Sequence, residues 1–131
     1  MAFTAKHRFA RISPRKARLL MDLIRGRKVD DAITILKFSK RRSGEMIEKV
    51  IRSAVANATE QNVANSRNEL FVAEAFVDGG PVIKRFQPKD RGKAYSIKKR
   101  MSHLVVTVDE LEEGETPRVS TGKGGRQGKA R

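Results

Sequence analysis

The stretch from Asp78 to His103 constrains this chain more than any other. It separates two segments, Leu70 to Val77 and Leu104 to Val108, that are rich in β-branched and aromatic residues and predict strands. A structureless loop of roughly 20 residues is foreign to a compact domain. Gly79-Gly80-Pro81 marks one end, Pro88 and Gly92 mark the middle, and Val82, Ile83, Phe86, Tyr95 and Ile97 are spread among eight cations. This pattern predicts a long hairpin leaving the domain, each arm of about 11 residues reaching roughly 35 Å from the sheet. Pro88 and Gly92 suit a bend or tip, because proline donates nothing to a ladder and glycine accepts strained backbone angles. In water such an arm would repel itself and expose apolar side chains, so it requires burial in something anionic.

The rest of the charge obeys a similar division. The 131 residues hold 29 Lys+Arg against 15 Asp+Glu, a net charge of +14, and no cysteine, which excludes disulfides and thiolate metal sites. Residues 1–28 carry a net +8, 81–103 a net +7 and 117–131 a net +5, while 43–80 carry −3 and 104–116 carry −5. Basic blocks therefore flank a middle that reads as ordinary folded core. Nucleic acid is the commonest partner for such a balance, with an anionic membrane surface as the rival. The longest apolar runs are interrupted by Asp22 and Glu74, far short of the roughly 20 residues a bilayer span needs. The first 21 residues, with six cations and no acid, resemble a transit peptide only superficially; we read them as a folded start and the cytosol as the address.

Residues 3 to 11 set Phe3, Ala5, His7 and Phe9 against Thr4, Lys6 and Arg8, the period of two of a half-buried strand with a basic outer face. Ser13-Pro14 then supplies a capping residue and a first-turn proline, and Ala17, Leu20, Leu23 and Ile24 recur at helical spacing until Gly26. A second helix starts with Asp30 or Asp31 as its cap and ends near Phe38. The basic run Lys40-Arg41-Arg42 follows. From Ser43 to Asn62, Ile47, Val50, Ile51, Ala54, Val55 and Ala58 predict the longest helix. Residues 62–69 read as a polar loop. The expected fold is α+β: three helices packed on a small antiparallel sheet, a long protruding β-hairpin over 79–103 and a disordered basic C-terminal tail. Residues 1–110 form one RNA-binding domain in this reading, and 111–131 an acidic spacer and the tail.

Catalytic chemistry has little to stand on. His7 and His103 fall in separate strands, without a nucleophilic cysteine or a metal-binding spacing, so no catalytic, metal or cofactor site is assigned. Gly122-Lys123-Gly124-Gly125 lacks the strand-to-helix context of a phosphate loop, and the acids between Asp109 and Glu115 read as a solvated spacer. What remains is cationic recognition, with Phe86 and Tyr95 available to stack on unpaired bases.

The residues resemble a known family, the large-subunit ribosomal protein numbered twenty-two. The resemblance rests on Ala5-Lys6-His7-Arg8, on Asp22-Leu23-Ile24-Arg25-Gly26-Arg27-Lys28-Val29, on Ser53-Ala54-Val55-Ala56-Asn57-Ala58, on Val77-Asp78-Gly79-Gly80-Pro81, and on Arg91-Gly92-Lys93 followed by His103-Leu104-Val105-Val106. It implies a structural protein of the cytoplasmic ribosome, monomeric there, whose globular part sits on the large subunit. Its hairpin would line the nascent-peptide exit tunnel near the macrolide region. Ribosomal RNA, neighbouring large-subunit proteins and the nascent peptide would be its partners, with no membrane involved. From their charge and placement, the phosphate contacts expected are Lys6, Arg8, Arg11, Arg15, Lys16 and Arg18 on the globular face and Lys84, Arg85, Lys89, Arg91, Lys93, Lys98, Lys99 and Arg100 on the hairpin. Ile83, Lys84, Arg85, Lys89, Asp90, Arg91, Gly92 and Lys93 would face the tunnel. Lys89-Asp90 departs from the family pattern by placing an acid in the tip. An architectural DNA-binding protein with basic β-arms, Pro88 serving as a wedge, is the alternative, and a small ribonuclease using the two histidines is a third.

Overall fold

The computed structural model describes residues 2–61 and 70–110. The predicted polar loop at 62–69 and the spacer and tail at 111–131 lie outside the described residues. The chain runs through strand β1 (Phe3–Ala10), helices α1 (Pro14–Ile24), α2 (Val29–Phe38) and α3 (Arg42–Glu60), and strands β2 (Leu70–Lys89) and β3 (Lys93–Glu110). The three strands form one antiparallel sheet in the order β1-β3-β2, and the helices pack on it, an α+β fold as the residue pattern predicts.

The apolar periodicities place most of the core correctly. In α3, Ile47, Val50, Ile51, Ala54, Val55 and Ala58 are all buried, and they meet Leu104, Val106 and Val108 of β3 in one cluster. Each fully buried isoleucine or valine there contributes about 1.5–3 kcal/mol relative to exposure. In α1, however, Met21 is buried and Leu23 is 50% exposed, so the inward stripe is Ala17, Leu20, Met21 and Ile24. Helix α2 starts at Val29, with Lys28 as its cap residue. Asp30 and Asp31 lie inside its first turn and make no capping bond; they act on the helix only through its dipole. Ser13 likewise stands at the N-cap of α1 without a side-chain bond to the helix.

β1 ends at Ala10 and its alternation fails one residue earlier. The register slips between His7, opposite Leu104, and Ala10, opposite Ser102, so Phe9 turns out to solvent and Ala10 takes the inward place.

The edge strand β2 is covered from outside. Gly26 N–H donates to Val72 O and Val72 N–H donates to Arg27 O, both at 2.9 Å. After a bulge between Val72 and Glu74, the next outward carbonyls accept from arginines of α1. Arg25 donates to Ala75 O from Nε (3.2 Å) and Nη2 (2.6 Å), and Arg18 donates from Nη2 to Val77 O (3.1 Å). An edge whose polar groups are occupied in this way is closed to pairing with another strand.

β2 and β3 continue unbroken out of the sheet as the predicted hairpin. Pairing with β1 stops at Ser102, and beyond it the two arms pair only with each other, from Val82 opposite Arg100 to Lys89 opposite Lys93. Asp90, Arg91 and Gly92 form the tip, with Arg91 and Gly92 at φ 62° and 70°. Gly80 lies within a second bulge, where a Cβ would stand 3.0 Å from the carbonyl carbon and oxygen of Met101. Glycine at this point lets the arms cross closely as they leave the sheet.

Candidate nucleic-acid interface

Where the hairpin leaves the sheet, three other parts of the chain approach its base. The turn after β1 brings Arg11 and Ile12, the first turn of α1 brings Ser13 and Lys16, and the first residue of α3 is Arg42. With Ile83, Arg85, Lys98, Lys99, Arg100 and Met101 they line a groove of about 740 Å³. Among the described residues, eleven line it, of which seven are cations and none is an acid. The groove also receives the positive ends of α1 and α3, neither of which carries a side-chain cap. Low-dielectric walls of one sign focus the field, so the groove attracts a run of phosphates.

The hairpin extends that field outward. Lys84 stands directly opposite Lys98, and Lys89 opposite Lys93, arrangements that destabilise an isolated ladder. Lys89 Nζ lies 5.0 Å from the Tyr95 ring centre, a cation over an aromatic face. Phe86 is 74% exposed, and Val82 and Tyr95 are exposed too. Repelling charges therefore stand beside uncovered apolar groups along the arm.

The structure gathers Arg11, Lys16, Arg85, Lys98, Lys99 and Arg100 from the predicted set into the groove. Lys84 is exposed between the groove residues Ile83 and Arg85 without lining the groove, and Lys89, Arg91 and Lys93 are exposed farther out on the arms and tip, beside exposed Asp90 and Gly92. Lys6, Arg8 and Arg15 are exposed on the globular part outside the groove. Arg18 is committed to Val77 O, and joins Arg25 as a strut between α1 and β2. Among the described lining residues, Arg42 is the cation that the predicted set omits; its signal was the basic run 40–42 just ahead of the longest apolar periodicity.

The two histidines lie apart. His7 pairs with Leu104, so His103, the next residue along β3, points to the opposite face of the sheet. The two imidazoles therefore do not converge on one reacting atom. Pro88 faces Ala94, one pair below Lys89 and Lys93, and so does not form the end of the hairpin. Among the described residues no group of acids and histidines is placed to hold a metal ion, and no helix is long and apolar enough to cross a membrane.

Residues 5–109 match the family model described as ribosomal protein L22p/L17e. A curated relative, the large ribosomal subunit protein uL22 of Syntrophus aciditrophicus (strain SB), is 54% identical over 110 residues, covering 84% of this chain and 99% of the relative. Both the groove and the hairpin fall inside the matched span.

Proposed function

This chain belongs to the ribosomal protein L22p/L17e family of structural, non-enzymatic ribosomal components, and from that premise we propose that it binds and organises large-subunit ribosomal RNA. The observation that carries the proposal is the groove whose described lining holds seven cations and no acid, opening onto an arm whose like charges face each other. The phosphate contacts we assign are Arg11, Lys16, Arg42, Arg85, Lys98, Lys99 and Arg100 in the groove, Lys6, Arg8 and Arg15 on the globular part, and Lys84, Lys89, Arg91 and Lys93 along the arm. Arg18 contributes by holding α1 on β2.

Residues 1–110 serve as the RNA-binding unit, monomeric in the cytoplasmic ribosome beside neighbouring large-subunit proteins. The arm is threaded through folded RNA to the nascent-peptide exit tunnel near the macrolide region. There Ile83, Lys84, Arg85, Lys89, Asp90, Arg91, Gly92 and Lys93 meet the tunnel interior and the passing peptide.

The test is to sediment cell lysate through a sucrose gradient after a high-salt wash and follow the chain by mass spectrometry. Stoichiometric retention in the large-subunit peak is expected, since salt strips proteins held by loose electrostatics alone. Recovery at the top of the gradient or with nucleoid DNA would refute it in favour of a DNA-bending protein. Replacing Lys84, Arg85, Lys98 and Lys99 with Gln is expected to weaken incorporation several-fold, and undiminished incorporation would sink the hairpin's role.

A further inference from the structure

We propose that Phe9, flanked by Arg8 and His103, is a stacking platform for an unpaired RNA base on the face of the sheet away from the helices. The inference rests on the RNA-binding reading above and adds a contact of a different kind, to a base rather than to phosphates. Phe9 adopts φ 57°, a left-handed conformation that a bulky side chain rarely takes. It occupies the slip between His7 and Ala10, and the outcome is that an aromatic ring is 49% exposed while the adjacent Ala10 is 1% exposed. Burial of apolar surface would favour the reverse.

The exposed ring is nonetheless held in place. Phe9 N–H donates to His103 Nδ1 at 3.0 Å, and the two rings meet edge to face with centres 5.0 Å apart and planes at 87°. The Arg8 guanidinium carbon lies 5.2 Å from the Phe9 ring centre. A fixed aromatic ring with a guanidinium over one side suits a base and its phosphate together, since every base offers a π-face and arginine both stacks and pairs with the backbone. Charge gives the site a direction. Exposed Lys6 lies on the β1 side, whereas exposed Asp78 pairs with His103 on the β2 side, so the phosphate belongs over β1.

Two variants of the full chain test this. Phe9→Gly removes the ring and relieves the left-handed backbone, so it is expected to unfold at the same or a higher temperature while binding poly(A) roughly 5-fold or more weakly at moderate salt. Its affinity for duplex RNA is expected to stay within about 2-fold, because the phosphate contacts remain. A merely structural role for Phe9 predicts unchanged poly(A) binding, and that result would overturn the proposal. The chain contains no tryptophan, so Phe9→Trp supplies a single indole. Its emission is expected to be quenched by poly(A) and not by duplex RNA. No quenching at saturation, with binding established by anisotropy, would equally overturn it. Neither failure touches the gradient experiment, which decides the ribosomal reading on its own.

Discussion

Replacing Arg42, Lys98, Lys99 and Arg100 with glutamine removes four of the seven cations that line the groove. Each phosphate neutralised contributes about 0.7 to 0.9 to the slope of log affinity against log salt, so the intact groove accounts for a slope of about 5 to 6 in magnitude. The variant should lose about 3 of those units. Between 50 and 200 mM salt, affinity for deproteinised large-subunit RNA would then fall by roughly 30-fold for the variant's groove against roughly 2,000-fold for the intact one. Filter binding across that range measures both slopes. Unfolding does not explain the change, because removing Lys98 relieves its repulsion with Lys84 directly opposite, so thermal stability should hold or rise by a few tenths of a kcal/mol. The same number of glutamines at Lys28, Lys37, Lys40 and Lys49, all exposed and outside the groove lining, provides the comparison. A drop of less than one unit in the groove variant, or an equal drop in the comparison variant, would refute the convergence argument.

Arg25→Met should cost about 1–2 kcal/mol, the lower part of the range for charged hydrogen bonds because the guanidinium is partly exposed. Calorimetry should register this as a melting point lower by roughly 5–10 °C, and an unshifted transition would show that the β2 edge needs no strut. Two adjacent glycines should behave oppositely in the same assay. Gly80→Ala sets a Cβ 3.0 Å from the Met101 backbone and should destabilise by about 1–3 kcal/mol, whereas Gly79→Ala meets nothing within 4 Å and should stay within about 0.5 kcal/mol. Equal effects at the two positions would remove the close crossing of the arms as an explanation.

The elements were legible wherever a single period governed a whole segment. Helix α3 is the clearest case: its apolar positions are all used, and only the ends moved, from the predicted Ser43 and Asn62 to Arg42 and Glu60. The hairpin was legible for a different reason, because glycine, proline and charge together left no compact alternative. Errors arose where a long-range contact overrode a local pattern. Phe9 broke the alternation of β1 because His103, distant in sequence, supplies an acceptor for its N–H. The α1 stripe is a different case: positions i+3, i+4 and i+7 from Ala17 are Leu20, Met21 and Ile24, so the helical period itself favours Met21 over Leu23 as the inward residue. The predicted cations were divided among groove, arm, globular surface and strut by tertiary placement alone. Arg42 illustrates the limit: its charge was plain, but only the packing of α3 against the hairpin base gave it neighbours.

The unbroken passage of β2 and β3 from sheet to tip restricts how this arm can change in length over evolutionary time. Deleting one residue from one arm alone leaves the ladder out of step, and a bulge must absorb the mismatch. Deleting one from each arm keeps the ladder but shortens the reach by about 3.3 Å and turns every more distal side chain to the other face. Only the loss or gain of two residues per arm, about 6.6 Å at a time, preserves both the pairing and the directions in which the tip residues point. Length and facing are therefore inherited together in quantised steps, and a relative that differs by one such step keeps the same surface at a different depth.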